Sequence, residues 1–497
     1  MMQISKSEYV MFLKHPAWLW LKKHDKSKLP PIDDNTQAIF DAGNMFEAYA
    51  EKLFPDGFRL GFDNYQEYLT LPQATAKAID DGNKTLFQAR FESDSITCIC
   101  DVVQFIDEKT LDLFEIKSST KAKPEHELDL AFQMVVLEGA GYTIRNISVI
   151  HVNNQYVRNG AIDPIELTGT TVITQAVKER KDFTTQKIEE ALSMLESGNH
   201  PDFSPALADK KAFGEWLSIY KSMNDIKPGS IYNLCQLDAK TLNSLNDAKI
   251  EYIQDIPENF ILKPKQTLQV EATRLGRPII HHDKIKDFLD SFIFPLYFFD
   301  YETLASLVPY FDGLKPYQQL PFQYSLHVLE SPDSELKHYE YLHNGNSNPA
   351  LSLTQALKSH IGDQGSVVTW NMGFEKKCNS LLGSLLPEHA NFYESLNDRI
   401  VDLMIPFSKG MYIDKDFCGS ASIKNVLPVL APELSYKTLG IQEGAAAQRL
   451  WMEAILDEKR DDQKEQILND LIEYCKLDTM AMVEIYNFLL STIMETK

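Results

Sequence analysis

From residue 85 to residue 160 the apolar positions take the period and length of β-strands. TLFQARFE, ITCICDVVQFI, LDLFEIKSS and ISVIHVN are short, largely apolar or alternating runs, and LDLAFQMVVLEGAG is a helix inserted before the last of them. Upstream, residues 1–60 read as helical, with Ser5 and Ser7 as caps, an aromatic cluster at Trp18 to Trp20, and an amphipathic helix in AIFDAGNMFEAYAEKLF. Another helix falls within 165–200, and SGNHPDFSPA marks a boundary. From 205 to about 290 the chain is polar, helical and broken by turns. There LCQLDAKTLNSLNDAKIEYIQDIPENF pairs two short helices, either as a helix-hairpin-helix that grips a nucleic-acid backbone or as simple linker packing; its turn lacks the usual glycine. A second strand pattern opens at FIFPLYFFDYETL and continues through PFQYSLHVLE, KHYEYLHN, the helix LSLTQALKSHI, the strand SVVTWN, a helix from Glu375 and a long C-terminal helix. The expected fold class is α/β, with two separate mixed-sheet α/β domains at 1–204 and 291–497 joined by a helical linker at 205–290.

Composition fits that division. A chain of 497 residues, 44% hydrophobic and 11% aromatic, exceeds what one core organises and can fill two. It has no apolar run of about 18 residues, and its N-terminus is too mixed for a signal peptide, so a soluble cytoplasmic protein with no membrane partner is expected. Six scattered cysteines include no C-x-x-C pair and read as reduced, buried thiols. A formal charge of -22 disfavours coating nucleic acid through a basic surface, but leaves room for an enzyme that holds phosphates through a metal bound by carboxylates.

Candidate chemistry begins at LDLFEIKSS. Strand alternation puts Glu115 and Lys117 on one face. Folding the preceding hairpin about the turn near Asp107 to Thr110 sets Asp101 opposite Glu115. Facing carboxylates need a counter-charge. A divalent cation held by Asp101, Glu115 and the Ile116 carbonyl would supply it, with Lys117 orienting a water or stabilising charge on a phosphate. Glu47 could close the coordination sphere, and Gln133 could hold the Lys117 face. Taken singly, Glu47 reads as a solvated helix face and Gln133 as a helix-to-sheet hydrogen bond; their order around the hairpin lifts them. Over residues 1–200 this order resembles the PD-(D/E)XK nucleases, within them the RecB-like group. Many relatives carry tyrosine where this chain has Leu137, and a cluster-binding cysteine where it has His15. With no late cysteine triplet either, no iron–sulfur cluster is expected.

The second constellation repeats the theme. YFFDYET delivers Asp300 and Glu302 to one strand face, and EYCKLDTMAM sets Tyr474 and Asp478 four residues apart on a helix. Between them VVTWNMGFEKK places Asn371 and Glu375 at a helix start. This resembles the DEDD exonucleases of the DnaQ-like, RNase H-like superfamily. The resemblance implies two metals about 4 Å apart, with Asp300 bridging them, Glu302 and Asp478 on one, the middle acid on the other, and Tyr474 orienting water. The middle acid is normally aspartate; Glu375 takes its place here, with Asp402 in reserve. Lys424, in GSASIKNVLP, could meet a phosphate or be solvated.

The order of the whole chain resembles a bacterial family of RecB-like and DnaQ-like fusions. It implies a nuclease dependent on Mg²⁺ or Mn²⁺, hydrolysing phosphodiester bonds of DNA that is single-stranded or ended, in repair or phage defence. RNA processing, or a nucleic-acid-binding scaffold with decayed sites, are the alternatives. Protein partners are not legible.

Overall fold

The computed structural model describes residues 3–494. The protein is α/β and divides into two compact units. One holds residues 1–225, 238–240 and 307–316; the other holds 226–237, 241–306 and 317–497. Residues of the expected linker, 205–290, therefore fall in both.

The first unit is built on a seven-stranded sheet. Its strands are β1 (Ile4–Ser5), β2 (Phe58–Arg59), β3 (Thr85–Ser93), β4 (Ile96–Phe105), β5 (Thr110–Lys117), β6 (Thr143–Val152) and β7 (Thr168–Val172). The order is β2-β3-β4-β5-β6-β7, with β1 pairing β4 in parallel. Helices α1 (Lys6–Lys14), α2 (Pro16–His24), α3 (Asp34–Ala50) and α4 (Tyr65–Asp80) precede β3, and α5 (Pro124–Gly139) crosses from β5 to its parallel neighbour β6. Half of α5 is buried, from His126 to Leu137, which explains why its sequence lacks a polar face. The β4–β5 hairpin turns where expected: Asp107 Oδ1 accepts the Lys109 and Thr110 amides. A satellite core joins Phe46, Val152, Tyr156 and Leu167 to Leu307 and Val308. The segment 307–316 is tied down by Arg158, whose Nη1 donates to the carbonyls of Pro309 and Tyr310, and by the Gly160 amide on Asp312 Oδ1 at 2.8 Å.

The second unit carries β8 (Ile279–Ile280), β9 (Leu296–Leu304), β10 (Leu320–Leu329), β11 (Lys337–Leu342), β12 (Ser366–Thr369), β13 (Ile400–Asp402) and β14 (Tyr412–Ile413). Five form a mixed sheet, β11-β10-β9-β12-β13, and β14 pairs β8 apart from it. Strand β10 runs antiparallel to both neighbours, whereas β12 is parallel to β9 and β13. Central β9 is buried at every position except Asp300, the pattern of a strand covered on both faces with one opening. The helix Lys464–Met494 packs on β9 and β10. Gly365, at φ +88, lies where a Cβ would come 2.1 Å from the Pro295 carbonyl oxygen, so only glycine fits. In the expected helix-hairpin-helix, the first helix is Ala239–Asp247, but the second is a single 3-10 turn, Ile253–Asp255.

Candidate active sites

The first cluster gathers around Glu115, which is only 1% exposed. The β4–β5 pairing stops at Val102 and Phe114, and beyond it the Ile116 amide donates to Asp101 Oδ2 at 2.7 Å. Asp101 and Glu115 thus meet as the hairpin reading expected. Glu115 Oε1 accepts from Lys117 Nζ at 2.8 Å and from Lys6 Nζ at 2.6 Å, and Oε2 accepts from Gln133 Nε2 at 2.6 Å. Gln133 therefore holds Glu115 rather than Lys117; Lys117 is held by Asp129, at 2.7 Å.

Sequence reasoning missed Lys6 and Asp129. Lys6 arrives because β1 pairs β4 at Ile4↔Ile96 and Ser5↔Thr97, and the Ser5–Glu8 capping box then starts α1. Burial pushes the Glu115 carboxyl up, but Lys117 and Lys6 outweigh it and hold it well below the usual carboxylate range. Burial lowers the Lys6 ammonium less than Glu115, Asp101 and Asp129 raise it, so it stays charged.

The other side of the cluster is under-neutralised. Burial, then the Glu115 charge, push Asp101 up to about 7 against the pull of Lys6 and the Ile116 amide, and Glu47 adds to the rise. Glu47, on α3, accepts from Gln88 Nε2 at 2.6 Å and faces Arg59 at 3.5 Å. Gln88 sits in mid-strand at φ +55, a left-handed conformation that costs a residue with a Cβ about 1–2 kcal/mol. A pocket of about 290 Å³ opens here, lined by Lys6, Tyr68, Gln88 and Asp101 among others. The donor set is thus split. Glu115 is met by two lysines and Gln133, whereas Asp101, which lines the pocket, and Glu47 are carboxylates that a hard cation would fit.

His15 caps α2: Nδ1 accepts the Ala17 amide at 3.1 Å. Its ring stacks on Trp216 at 4.1 Å, and Nε2 lies 3.1 Å from the Ser204 carbonyl oxygen. His15→Ala is expected to cost about 2 kcal/mol, a cap plus a stack, read as a lower melting temperature with Mn²⁺ binding unchanged.

The second cluster lies in the second unit. Asp300 and Glu302 stand opposite Ser325 and Gln323 on β10. Ligand atoms of Asp300, Glu302 and Cys475 lie within 4.8 Å of one another. Cys475 was not among the expected site residues, although it sits one helical turn before Asp478 on the same face. Burial and then Asp300, Glu302, Asp478 and Glu340 push its thiol well up, so it remains a neutral thiol, a poor ligand for a hard cation. Asp478 Oδ1 accepts from Tyr436 Oη at 2.6 Å. Lys424 Nζ sits 5.5 Å from the ring centroids of both Tyr436 and Tyr474, and donates to the Gln442 carbonyl at 2.6 Å. A cleft of about 370 Å³ runs over Asp300, Glu302, Lys424, Tyr474 and Asp478.

Burial and mutual repulsion set the protonation of this cluster. Asp300 is pushed well up by burial, then by Asp478, Glu302 and Glu375. Glu302 rises through burial and Asp478, against Lys424. Asp478 reaches about 6 through burial, moderated by Tyr436, Lys424 and Tyr474. Glu375, 1% exposed, is pushed to about 8 by burial, with Asp402 adding to it, and its Oε2 has no hydrogen-bond partner. The two candidates for the middle acid differ in kind. Asp402 Oδ1 accepts the Asn371 and Met404 amides at 3.0 Å each, a loop-fixing role, whereas Glu375 bears on Asp300 with an unused oxygen. An orphaned buried carboxyl oxygen beside three crowded carboxylates is a donor set that fits a divalent cation.

Residues 297–422 match a domain of unknown function (DUF2779). That stretch contains Asp300, Glu302, Glu375 and Asp402 and ends before Tyr474 and Asp478. The chain is 28% identical over 212 residues to the uncharacterized protein MG366 homolog of Mycoplasma pneumoniae, covering 39% of this chain and 32% of that protein. It is 26% identical over 231 residues to the uncharacterized protein UU173 of Ureaplasma parvum, covering 40% and 32%. The chain thus spans about a third of the length of these curated relatives. No solved structure matches it. Among the described residues, no helix is long and apolar enough to cross a membrane.

Proposed function

We propose that the protein is a metal-dependent phosphodiester hydrolase acting on nucleic acid, with the second unit as its principal catalytic centre. One observation carries the reading: Asp300, Glu302 and Asp478 line one cleft, and the charge of buried Glu375, whose Oε2 is unpartnered, bears on Asp300. These four carboxylates would hold Mg²⁺ or Mn²⁺, whose positive charge polarises a phosphoryl oxygen and acidifies a bound water. Tyr436 fixes the Asp478 carboxylate by its hydrogen bond. Tyr474 lines the same cleft, where its hydroxyl can orient an attacking water. Lys424, with Nζ 5.5 Å from the centroids of both tyrosine rings, brings positive charge to the cleft for a substrate phosphate.

The first unit contributes a second, smaller centre of the PD-(D/E)XK kind. In it Asp101 and Glu47 would hold one cation, while Glu115, clamped by two lysines and Gln133, keeps Lys117 in place. DNA is the favoured substrate and a cytoplasmic setting the favoured location.

The test is Mn²⁺-dependent cleavage of end-labelled single- and double-stranded DNA and RNA by the parent, Asp478→Ala and Lys117→Ala. Cleavage that Asp478→Ala reduces by roughly a hundredfold or more supports the reading. If the parent neither cleaves any of the four substrates nor gains thermal stability from Mn²⁺ or Mg²⁺, the protein is not this enzyme.

A further inference from the structure

The geometry points to Gln88 as a positioning residue of the first centre, one that fixes Glu47 against Asp101 through a deliberately irregular backbone; this rests on the reading of Asp101 and Glu47 as a cation site. Nothing in TLFQARFE marks the residue from sequence. In the structure the pairing of β3 with β4 runs through this point without a slip: Phe87 pairs Val102 and Ala89 pairs Cys100, which leaves Gln88 facing Asp101. Its φ of +55 is therefore not the extra residue of a bulge but one residue turned over between two ladder pairs that keep their register. Register does not require the turn, and β-geometry disfavours it for any residue with a Cβ.

What the turn achieves is reach. It brings the Gln88 amide to Glu47 on α3, with Nε2 donating to Oε1 at 2.6 Å, and leaves the residue lining the pocket that Asp101 and Lys6 also line. A hydrogen bond from a neutral amide to an ionised carboxylate fixes the rotamer of that carboxylate without neutralising its charge. Arg59, 3.5 Å from Glu47 and more than half exposed, binds Glu51 more closely and does not do this alone. Local strain that a regular strand would avoid is here spent on aiming a side chain, the usual setting of such outliers being a functional site. Gln88 does not touch the reacting atoms; it acts through Glu47.

The experiment titrates Mn²⁺ by electron paramagnetic resonance into the full chain carrying Asp300→Asn and Asp478→Asn, which silence the second cluster. Into that background go Gln88→Gly, Gln88→Asn, Glu47→Gln and Asp101→Asn. Gln88→Gly relieves the backbone and removes the amide, while Gln88→Asn keeps an amide and tolerates left-handed backbone but falls one methylene short of Glu47. Both are expected to weaken Mn²⁺ binding about 10- to 100-fold, the range for losing a group that orients a ligand. The melting temperature of Gln88→Gly should stay level or rise, which a purely structural role for the side chain would not produce. If both Gln88 variants bind Mn²⁺ like the background while Glu47→Gln does not, the role assigned to Gln88 is wrong and the cation site stands. If Glu47→Gln and Asp101→Asn also bind like the background, the cation site itself falls, and this inference with it.

Discussion

Asp300→Asn is expected to make the metal-free protein more stable and the second unit's centre inactive. Asp300 sits where the charges of Asp478, Glu302 and Glu375 converge, and in the folded chain these acids hold protons that the same residues release when unfolded. Carboxyls of an unfolded chain titrate near pH 4. In the folded chain Asp478 titrates near 6 and Glu375 near 8, with Asp300 and Glu302 raised as well. Between about pH 4 and pH 8 the native state therefore binds more protons than the unfolded one, and stability falls as pH rises. Removing the charge at Asp300 should raise metal-free stability at pH 8 by about 1–3 kcal/mol, one pKa unit being worth about 1.4 kcal/mol, and should flatten this slope. The parent should gain most from Mn²⁺ at the alkaline end, where protons compete least for the carboxylates. Asp300→Asn should lose the second unit's share of that gain and at least roughly a hundredfold in cleavage. Calorimetry at pH 5, 6.5 and 8, with and without Mn²⁺, reads all of these. A parent whose metal-free stability climbs steadily from pH 5 to 8 would show that the four acids do not crowd as described.

Glu115→Ala is expected to be the most destabilising single change in the first unit. The substitution strands Lys6 and Lys117, two largely buried ammonium groups that share Glu115 Oε1, and removes the acceptor of Gln133 Nε2. Breaking a buried ion pair from one side typically costs about 3–5 kcal/mol. For a unit of this size that lowers the melting temperature by roughly 10 °C. The damage comes from what is left unpaired rather than from the lost attraction. Adding Lys6→Met should therefore recover part of it, a coupling that a double-mutant cycle measures directly. Acid should act on the parent in the same sense: with its folded pKa depressed, Glu115 contributes stability above about pH 4 that is lost as pH falls through the folded value. If Glu115→Ala and the parent melt within a degree of each other, the two-lysine clamp is not formed.

Much of this architecture was readable because its signals are local. β3 to β6 announce themselves by apolar runs of strand length, and α5 by its length and its place between two parallel strands. Asp101 and Glu115 could be paired by folding one hairpin, Asp300 and Glu302 by alternation on one strand, and Tyr474 and Asp478 by one helical turn. What escaped is joined over long separations. Lys6 meets Glu115 across 109 residues, through a two-residue strand that carries no pattern of its own. Tyr436 reaches Asp478 across 42 residues from a 3-10 turn. Gln88 escaped for another reason: glutamine has no preference for left-handed backbone, so neither composition nor period could mark its turn. Gln133 was placed in the right cluster, on the face that Glu115 and Lys117 share, but a helix position tells which sheet face it covers and not which of two neighbouring side chains its amide will choose. Between Glu375 and Asp402 the sequence offered position, which favoured Glu375 four residues after Asn371, against residue type, which favoured the aspartate. Burial and hydrogen bonding separated them, one acid being satisfied by amides and the other not.

The segment 307–316 bears on how the chain can be divided. It lies between two strands of the second sheet, yet Leu307 and Val308 complete the core around Val152, Tyr156 and Leu167 in the first unit. A protease nick or a gene split within 205–290 would leave the N-terminal fragment short of a piece encoded downstream. Such fragments are suited to split-protein complementation rather than to separate purification: the N-terminal half regains its missing hydrophobic wall only when the C-terminal half is present to supply it.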